Sequence, residues 1–362
     1  MSKVEYQELL AFHPGYYILD IITDMGITQS EFAKRLNTTD KTLSKLLNGE
    51  ISLSDDIAQK LAQMLGTTVE VWLKLQLAYN EKVLAIKQRK ELDEEKEYLK
   101  QIDYRYFSKL QLVADTKKPE ERIKELRKFF KVSSLQVLKQ KDFLVACRTV
   151  VTSVTEKNIM NSNAWVQTAL NLAERIDCKP YNKQLLESFL PEIRSMTLQE
   201  PSVFYPRLYE IFKECGVAFV LLPHLPNSGV NGAVKWITKE KVLLALNNRR
   251  LSADTFWFSL FHEIKHVLQQ KLKATFISGN PSDYGPIDNE LEVEADLFSG
   301  NYLIPREEYN KFVSSANFNQ SNIEFFAEQI GIHPGVVVGR LQYDQHLPYS
   351  YFRNLKINYI IE

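Results

Sequence analysis

The sequence predicts a mostly α protein with an α+β C-terminal domain, and three observations lead there. Residues 13–80 carry closely spaced helix starts and stops, with short apolar stripes between them. The next hundred residues keep a helical pattern, first charge-rich and then more apolar. Beyond residue 200, three apolar runs of strand length, Val217–Leu222, Ala233–Ile237 and Val242–Leu246, follow a helix over Leu208–Cys215 and precede a long apolar helical run. A chain of 362 residues fits two or three domains. The boundaries read here are 1–84, 85–199 and 200–362.

The N-terminal part reads as a five-helix unit. Thr28 can cap a helix with Glu31 three residues on, a capping box, and Phe32, Ala33 and Leu36 then face inward. Thr39 or Asp40 opens the next helix, Leu43, Leu46 and Leu47 bury, and Asn48-Gly49 ends it. Two short helices joined by a tight turn form a helix-turn-helix, whose second helix would enter the major groove of DNA. Charge argues less strongly for that partner. Residues 1–84 hold eight Lys and Arg against eleven Asp and Glu, whereas phosphate binding usually leaves a basic footprint. Lys34, Arg35, Lys41 and Lys45 nevertheless make a local basic face. The same fold also serves as a protein-docking module.

From Leu84 to about Arg127 the chain reads as an exposed helix extending the first unit, with Glu91 and Glu94 placed to pair with lysines one turn away. Charge of both signs makes it a solvated spacer. Helices continue to residue 199, one of them opened by Pro119-Glu-Glu, and Trp165, Leu170, Leu172 and Ala173 make an apolar face. These are core residues, and no chemistry is evident in the segment.

Chemistry concentrates at residues 258–268, Phe-Ser-Leu-Phe-His-Glu-Ile-Lys-His-Val-Leu. His262 and His266, four residues apart on a helix, present two imidazoles on one face to a single metal ion, and Glu263 is placed as general base toward the attacking water. A catalytic zinc site needs a third protein ligand. The candidates lie on a second helix within residues 290–305, whose apolar face is Leu291, Ala295, Phe298 and Tyr302. Glu292 could ligate while Asp296, one turn on, accepts the remaining ring N–H of a ligand histidine. Glu294 flanks the same apolar face on its other side. Geometry alone does not choose between the two glutamates; the Glu-x-x-x-Asp pair favours Glu292. An oxyanion donor is also required. His224, Tyr302, His333, Tyr343, Asp344 and His346 are the side chains to consider, although each is more simply read as structural.

Composition excludes other classes. No apolar run approaches the ~20 residues needed to cross a bilayer, and the polar start Met1-Ser-Lys-Val-Glu-Tyr-Gln-Glu is no signal peptide, so no membrane partner and a cytoplasmic location are expected. Cys147, Cys178 and Cys215 lack the spacing of a disulfide framework or thiolate site and read as small core hydrophobes.

Residues 200–345 resemble the ImmA/IrrE family of metallopeptidases, which place a Glu-x-x-Ala-(Asp/Asn)-x-Phe-(small) helix after His-Glu-x-x-His and end it in Leu-(apolar)-Pro. The matching residues are Glu292, Ala295, Asp296, Phe298, Ser299, Leu303, Ile304 and Pro305, and the strand phrases and Gly331–Leu341 occur in family order. The resemblance implies a zincin-like core, one Zn2+ per chain held by His262, His266 and Glu292, and Glu263 as general base. Lys265 departs from it, standing where many members have glycine, and as it faces away from the ligand side it is expected to matter little. Residues 13–80 are similar to HigA-type antitoxins of the phage-repressor class, which share the closing phrase Trp72-Leu-x-Leu-Gln76. That resemblance implies operator DNA as partner, with Gln29, Thr39, Asp40, Lys41, Thr42 and Lys45 facing it. Together they imply a DNA-binding regulator with a zinc endopeptidase of narrow specificity that cleaves a particular protein such as a repressor. A HigA-like antitoxin paired with a cognate toxin, its zinc domain structural or sensory, is the alternative, and a symmetric operator would imply a homodimer.

Overall fold

The computed structural model describes residues 3–140, 155–248, 252–270, 275–278 and 286–359. The chain divides into two compact units, Met1–Glu97 and Tyr98–Glu362. It is mostly helical, with one small mixed sheet in the second unit.

The first unit opens with a hairpin that the sequence pattern did not reveal, β1 (Lys3–Tyr6) paired antiparallel with β2 (Leu9–Phe12). Tyr6 and Gln7 of the hairpin both hydrogen-bond the Asp93 carboxylate, at 3.0 and 2.9 Å. Five helices follow: α1 (Pro14–Asp24), α2 (Gln29–Arg35), α3 (Asp40–Leu47), α4 (Asp55–Leu65) and the long α5 (Val69–Leu99). The starts are set by side chains. Thr28, Thr39 and Ser54 accept backbone N–H groups that the first turns of α2, α3 and α4 leave unpaired. The expected capping box at Thr28 is only half present, because Glu31 turns its carboxylate to Arg35 at 2.5 Å. Gly49 and Gly66 end α3 and α4 with positive φ, where a Cβ would be strained. Ile18, Phe32, Leu36, Leu43, Leu46, Ala58, Leu61 and Trp72 form the core. The closing phrase has a physical basis: Trp72 donates to Thr67 at 2.8 Å, and buried Gln76 accepts the Leu53 N–H at 2.7 Å, so α5 locks the turn before α4.

The second unit contains α6 (Tyr104–Lys109), α7 (Pro119–Phe130), α8 (Glu156–Glu174), α9 (Lys183–Ser195) and α10 (Pro201–Glu214). Then come β3 (Val217–Leu222), β4 (Gly232–Thr238), β5 (Lys241–Asn247), α11 (Ala253–Leu268), β6 (Thr275–Ser278) and α12 (Pro286–Leu303), and finally α13 (Arg306–Ser314), α14 (Gln320–Ile330) and α15 (Pro334–Tyr343). The sheet order is β3-β5-β4-β6, with β3 parallel to β5 and the other pairs antiparallel. Val242, Leu244 and Leu246 join Val217, Phe219, Val234 and Trp236 in a core with Trp257, Leu260 and Phe261 of α11. The alternate residues Leu243, Ala245, Ala218 and Ala233 are buried as well. A strand covered on both faces reads as an unbroken apolar run, which these are.

Helix α8, packed against β3, β4 and β5, is buried nearly all round. Its apolar stripe carries Trp165 and Ala173 as expected, yet Asn161, Ser162, Asn163, Gln167, Thr168 and Asn171 are buried with them. The amides account for this: Asn163 donates to the Leu138 carbonyl at 2.9 Å, Asn171 to that of Phe129 at 2.7 Å and Asn161 to that of Gln101 at 3.0 Å. Buried carbonyls at or beyond helix ends lack intrahelical partners and need such donors. Cys215 is buried as predicted, Cys178 is only half-buried, and Cys147 lies outside the described residues.

At the α1–α3 crossing, a Cβ on Gly15 would sit 2.1 Å from the Leu46 carbonyl oxygen. Gly15→Ala should therefore force the two helices apart and cost about 1–3 kcal/mol. The check is thermal unfolding of the N-terminal unit, whose midpoint should fall by roughly 4–8 °C per kcal/mol lost; an unchanged midpoint refutes the close approach.

Candidate metal centre

α11 starts behind Ser252 and presents His262, Glu263 and His266 from its buried side, where all three are at most slightly exposed. α12 is brought against it by small residues and by a distant cation. Ala295 and Ser299 are fully buried, and the Ser299 hydroxyl donates to the Phe258 carbonyl at 2.7 Å. At Gly300 a Cβ would lie 1.8 Å from an Arg340 Nη, so the Arg340 guanidinium crosses α12 at this glycine. At its C-terminus, the Arg194 guanidinium from α9 donates to the carbonyls of Tyr302 and Leu303, at 3.0 and 2.9 Å, and to Ile330 of α14 at 2.8 Å. A cation there suits the negative end of the helix.

The result is a tight cluster. His262 Nε2 and His266 Nε2 are 3.0 Å apart, and the Glu292 carboxylate reaches them at 3.1 and 3.2 Å. All three ligand atoms fall within 4.8 Å of one another. Outward, His262 Nδ1 is 2.8 Å from Asp296 Oδ1 and His266 Nδ1 is 2.9 Å from Gln269 Oε1. An imidazole whose Nδ1–H is donated away keeps a lone pair on Nε2. Both lone pairs therefore converge with one carboxylate, a nitrogen and oxygen donor set suited to Zn2+. Glu263, fully buried on the same helix, is next to this cluster.

Electrostatics follow from that convergence. Burial alone would lower the His262 pKa, but hydrogen bonds to Asp296 and Glu292, with Glu263 nearby, raise it to about 10. Burial would raise the Glu292 pKa, yet the two imidazoles hold it at about 2. The cluster thus binds a positive charge between its imidazoles and carboxylates.

The structure brings together His262, His266, Glu292, Glu263 and Asp296. Glu294 does not join them; it pairs with Lys265 at 2.8 Å. Of the six side chains considered as oxyanion donors, His333 accepts the Gly335 N–H as the N-cap of α15, and Asp344 is engaged by Arg340 and Tyr309, at 2.7 Å each. The His346 ring is 5.8 Å from Phe318, while the His224 backbone N–H is held by Asn248. Tyr302 stacks on Phe261 at 5.2 Å. Tyr343 differs: its ring is 6.2 Å from Phe258, itself 6.5 Å from His262, and burial together with Asp296 raises its hydroxyl pKa. Sequence reasoning missed Gln269, although a polar side chain three residues after a helical histidine is a signal that could have found it.

On α2 and α3, Gln29, Lys41 and Lys45 are exposed. Thr39 and Thr42 share a hydrogen bond of 2.9 Å, and Thr39 also caps α3. Asp40 accepts from Ser30 at 3.1 Å. Thr39 and Asp40 thus hold the turn between the two helices.

This fold and site define a helix-turn-helix unit joined to a domain with a zincin-type His-His-Glu cluster. Comparison with known proteins gives the families: residues 19–72 match the helix-turn-helix family, and residues 224–341 match the IrrE N-terminal-like domain of the M78 peptidases. The chain belongs to the helix-turn-helix regulators through its first unit and carries an M78-type peptidase domain in its second. Among curated proteins it is similar to the uncharacterized HTH-type transcriptional regulator YddM of Escherichia coli, 31% identical over 67 residues that cover 18% of this chain and 71% of that one. It is also similar to antitoxin HigA-1 of Vibrio cholerae, 38% identical over 60 residues, 17% of this chain and 56% of that one. A solved addiction module antidote protein of a HigA family from Coxiella burnetii is 33% identical, with 23% of this chain and 92% of that one covered and a TM-score of 0.22. The chain spans between 56 and 71% of the length of these two curated relatives. No helix among the described residues is long and apolar enough to cross a membrane.

Because His262 holds its proton up to about pH 10, a metal must displace that proton to bind. Zn2+ affinity should rise as pH rises, by about tenfold per unit between pH 6 and 8 for one displaced proton. Calorimetry in two buffers of different ionisation enthalpy measures the released proton; identical heats in both contradict the expectation.

Proposed function

We propose that the chain is a DNA-binding transcriptional regulator whose second unit is a zinc-dependent endopeptidase acting on one protein, a repressor being the substrate class that suits a peptidase tethered to a DNA reader. One observation carries the reading: His262, His266 and Glu292 converge in a buried site, with the carboxylate of Glu263 next to them. His262, His266 and Glu292 would hold the metal, and Asp296 would orient His262. Zn2+ bound there supplies Lewis acidity toward a peptide carbonyl and acidifies water. Glu263 takes the proton of the attacking water and delivers it to the leaving amine nitrogen. Tyr343, whose hydroxyl feels the charge of Asp296, would donate to the developing oxyanion. Residues 200–362 contain every group this chemistry uses.

The first unit fits DNA through Gln29, Lys41 and Lys45 on the exposed side of α2 and α3, with Thr39, Asp40 and Thr42 setting the angle at which α3 is offered. An acidic total charge makes the local face, with Lys34 beside it, the source of affinity. A second reading has an observation of its own. The similarity to antitoxin HigA-1 of Vibrio cholerae favours an antitoxin that binds both operator and a cognate toxin, with the metal centre structural or sensory.

Glu263→Gln separates the two. The variant should retain Zn2+ and lose cleavage of the substrate by roughly 10²–10⁴-fold, the usual worth of a general base; full retention of cleavage and of regulatory activity sinks the peptidase reading. For the first unit, the full chain with Lys41→Ala and Lys45→Ala should bind operator more weakly, and the slope of log affinity against log salt should shrink by about 0.9 for each phosphate contact removed. A slope equal to that of the parent would mean these lysines do not face phosphate.

A further inference from the structure

The outward nitrogen of His266 begins a chain of polar groups that no motif contains. His266 Nδ1 meets Gln269 Oε1 at 2.9 Å. The other end of the same amide is committed twice, donating to the Leu291 carbonyl at 3.1 Å and to Glu294 Oε2 at 2.8 Å. Glu294 Oε1 is in turn paired with Lys265 Nζ at 2.8 Å. That ammonium also lies 5.4 Å from the centroid of the Phe298 ring. Gln269 is the C-cap of α11, its backbone N–H bonded to the Lys265 carbonyl, so its side chain leaves from a fixed point.

The order of donors and acceptors along this chain has one consistent solution. An amide can be turned end for end with little change in shape. Turning Gln269 would aim its oxygen at a carbonyl and a carboxylate, both acceptors, and would leave both its N–H donors pointing at a ring nitrogen. The two acceptors on α12 therefore hold the amide oxygen toward His266. An oxygen there requires His266 Nδ1 to carry the proton, and the lone pair is left on Nε2, 3.2 Å from Glu292. His262 reaches the same state through the charged Asp296, whereas His266 reaches it through a neutral amide whose polarity is set from outside.

We propose that Gln269 is the positioning residue for the second metal-ligating histidine, and that Glu294, anchored by Lys265, locks the Gln269 amide in the orientation that makes His266 a ligand. Lys265 faces away from the ligand side, as its place on the helix predicts, yet it acts on the centre through three hydrogen-bonded groups. The inference rests on the metal reading of the site.

The test is Zn2+ affinity of the full-length chain, measured against a chromophoric chelator after metal removal, together with the visible spectrum of the Co2+-loaded chain. Gln269→Leu should weaken Zn2+ binding by roughly 10–100-fold and alter the Co2+ spectrum as His266 reorients. Gln269→Glu should also weaken it, since the new carboxylate would face Glu294. The double variant Gln269→Glu with Glu294→Gln restores a donor and acceptor pair between positions 269 and 294, though not at the Leu291 carbonyl, and should recover part of the affinity that Gln269→Glu loses, an outcome that a merely space-filling role for residue 269 does not produce. Gln269 is only half-buried and Glu294 is exposed, so these changes spare the core, and the double variant decides the matter even if Gln269→Leu fails to fold. Parental affinity and spectrum in Gln269→Leu, or no recovery in the double variant, overturns the proposal while leaving the metal site standing. Failure of the parent to bind Zn2+ more tightly than His262→Ala overturns the metal reading, and the proposal with it.

Discussion

An imidazole can give a lone pair to a metal from one ring nitrogen only while the other carries a proton that something else accepts. The second unit is arranged around that requirement, twice over. Two buried histidines on α11 need two acceptors outside and one carboxylate inside, and all of these come from α12 or from the end of α11. A buried carboxylate without partners would carry a desolvation cost of several kcal/mol. Glu292 avoids it by meeting both rings, at 3.1 and 3.2 Å. The approach of α12 is therefore the critical dimension, and small side chains set it: Ala295 and Ser299 at the contact, Gly300 where Arg340 crosses. Arg194 fixes the far end of the same helix through carbonyls of α12 and α14.

Holding α11 still is the task of the sheet behind it. Its strands are apolar on both faces because α11 packs on one set of alternating residues and the other set is buried as well, with α8 among the elements covering the strands. α8 is unusual in being buried while rich in amides. Its asparagines bond carbonyls at the ends of the helical segments around it, which lets those ends be buried with their hydrogen bonds made. Trp165 and Tyr106 both donate to the Pro223 carbonyl, at 3.1 and 2.7 Å, tying α8 and α6 to the loop that leaves β3. Residues that look chemically silent in sequence thus build the platform for the site.

The first unit depends on a different economy. Its helices are short, and each is begun by a hydroxyl cap and packed on one apolar stripe, so local signals and tertiary structure agree. Thr39 and Asp40 combine an exposed position with a structural task. Both fall where DNA-facing residues are expected, and both are engaged in holding the turn. Lys41 and Lys45 carry no such duty and remain exposed on the same helix.

Much of this was legible in the sequence. The 3.6-residue period marked the helices of the first unit, because it reflects which side chains meet water, and unbroken apolar runs of strand length marked three strands of the second, because both of their faces are buried. The four-residue spacing of His262 and His266 is enforced by helix geometry alone, so the pair needed no tertiary information. The spacing of Glu292 and Asp296 pointed to a ligand and its neighbour on one helix, but could not exclude Glu294, which lies only two residues from Glu292. That choice depends on how α12 is rotated and how closely it lies against α11, a matter of packing between segments distant in sequence. Gln269 was hidden for the same reason. Its role arises from acceptors on α12, Leu291 and Glu294, that the sequence places 22 and 25 residues away and only the tertiary structure brings within hydrogen-bonding distance.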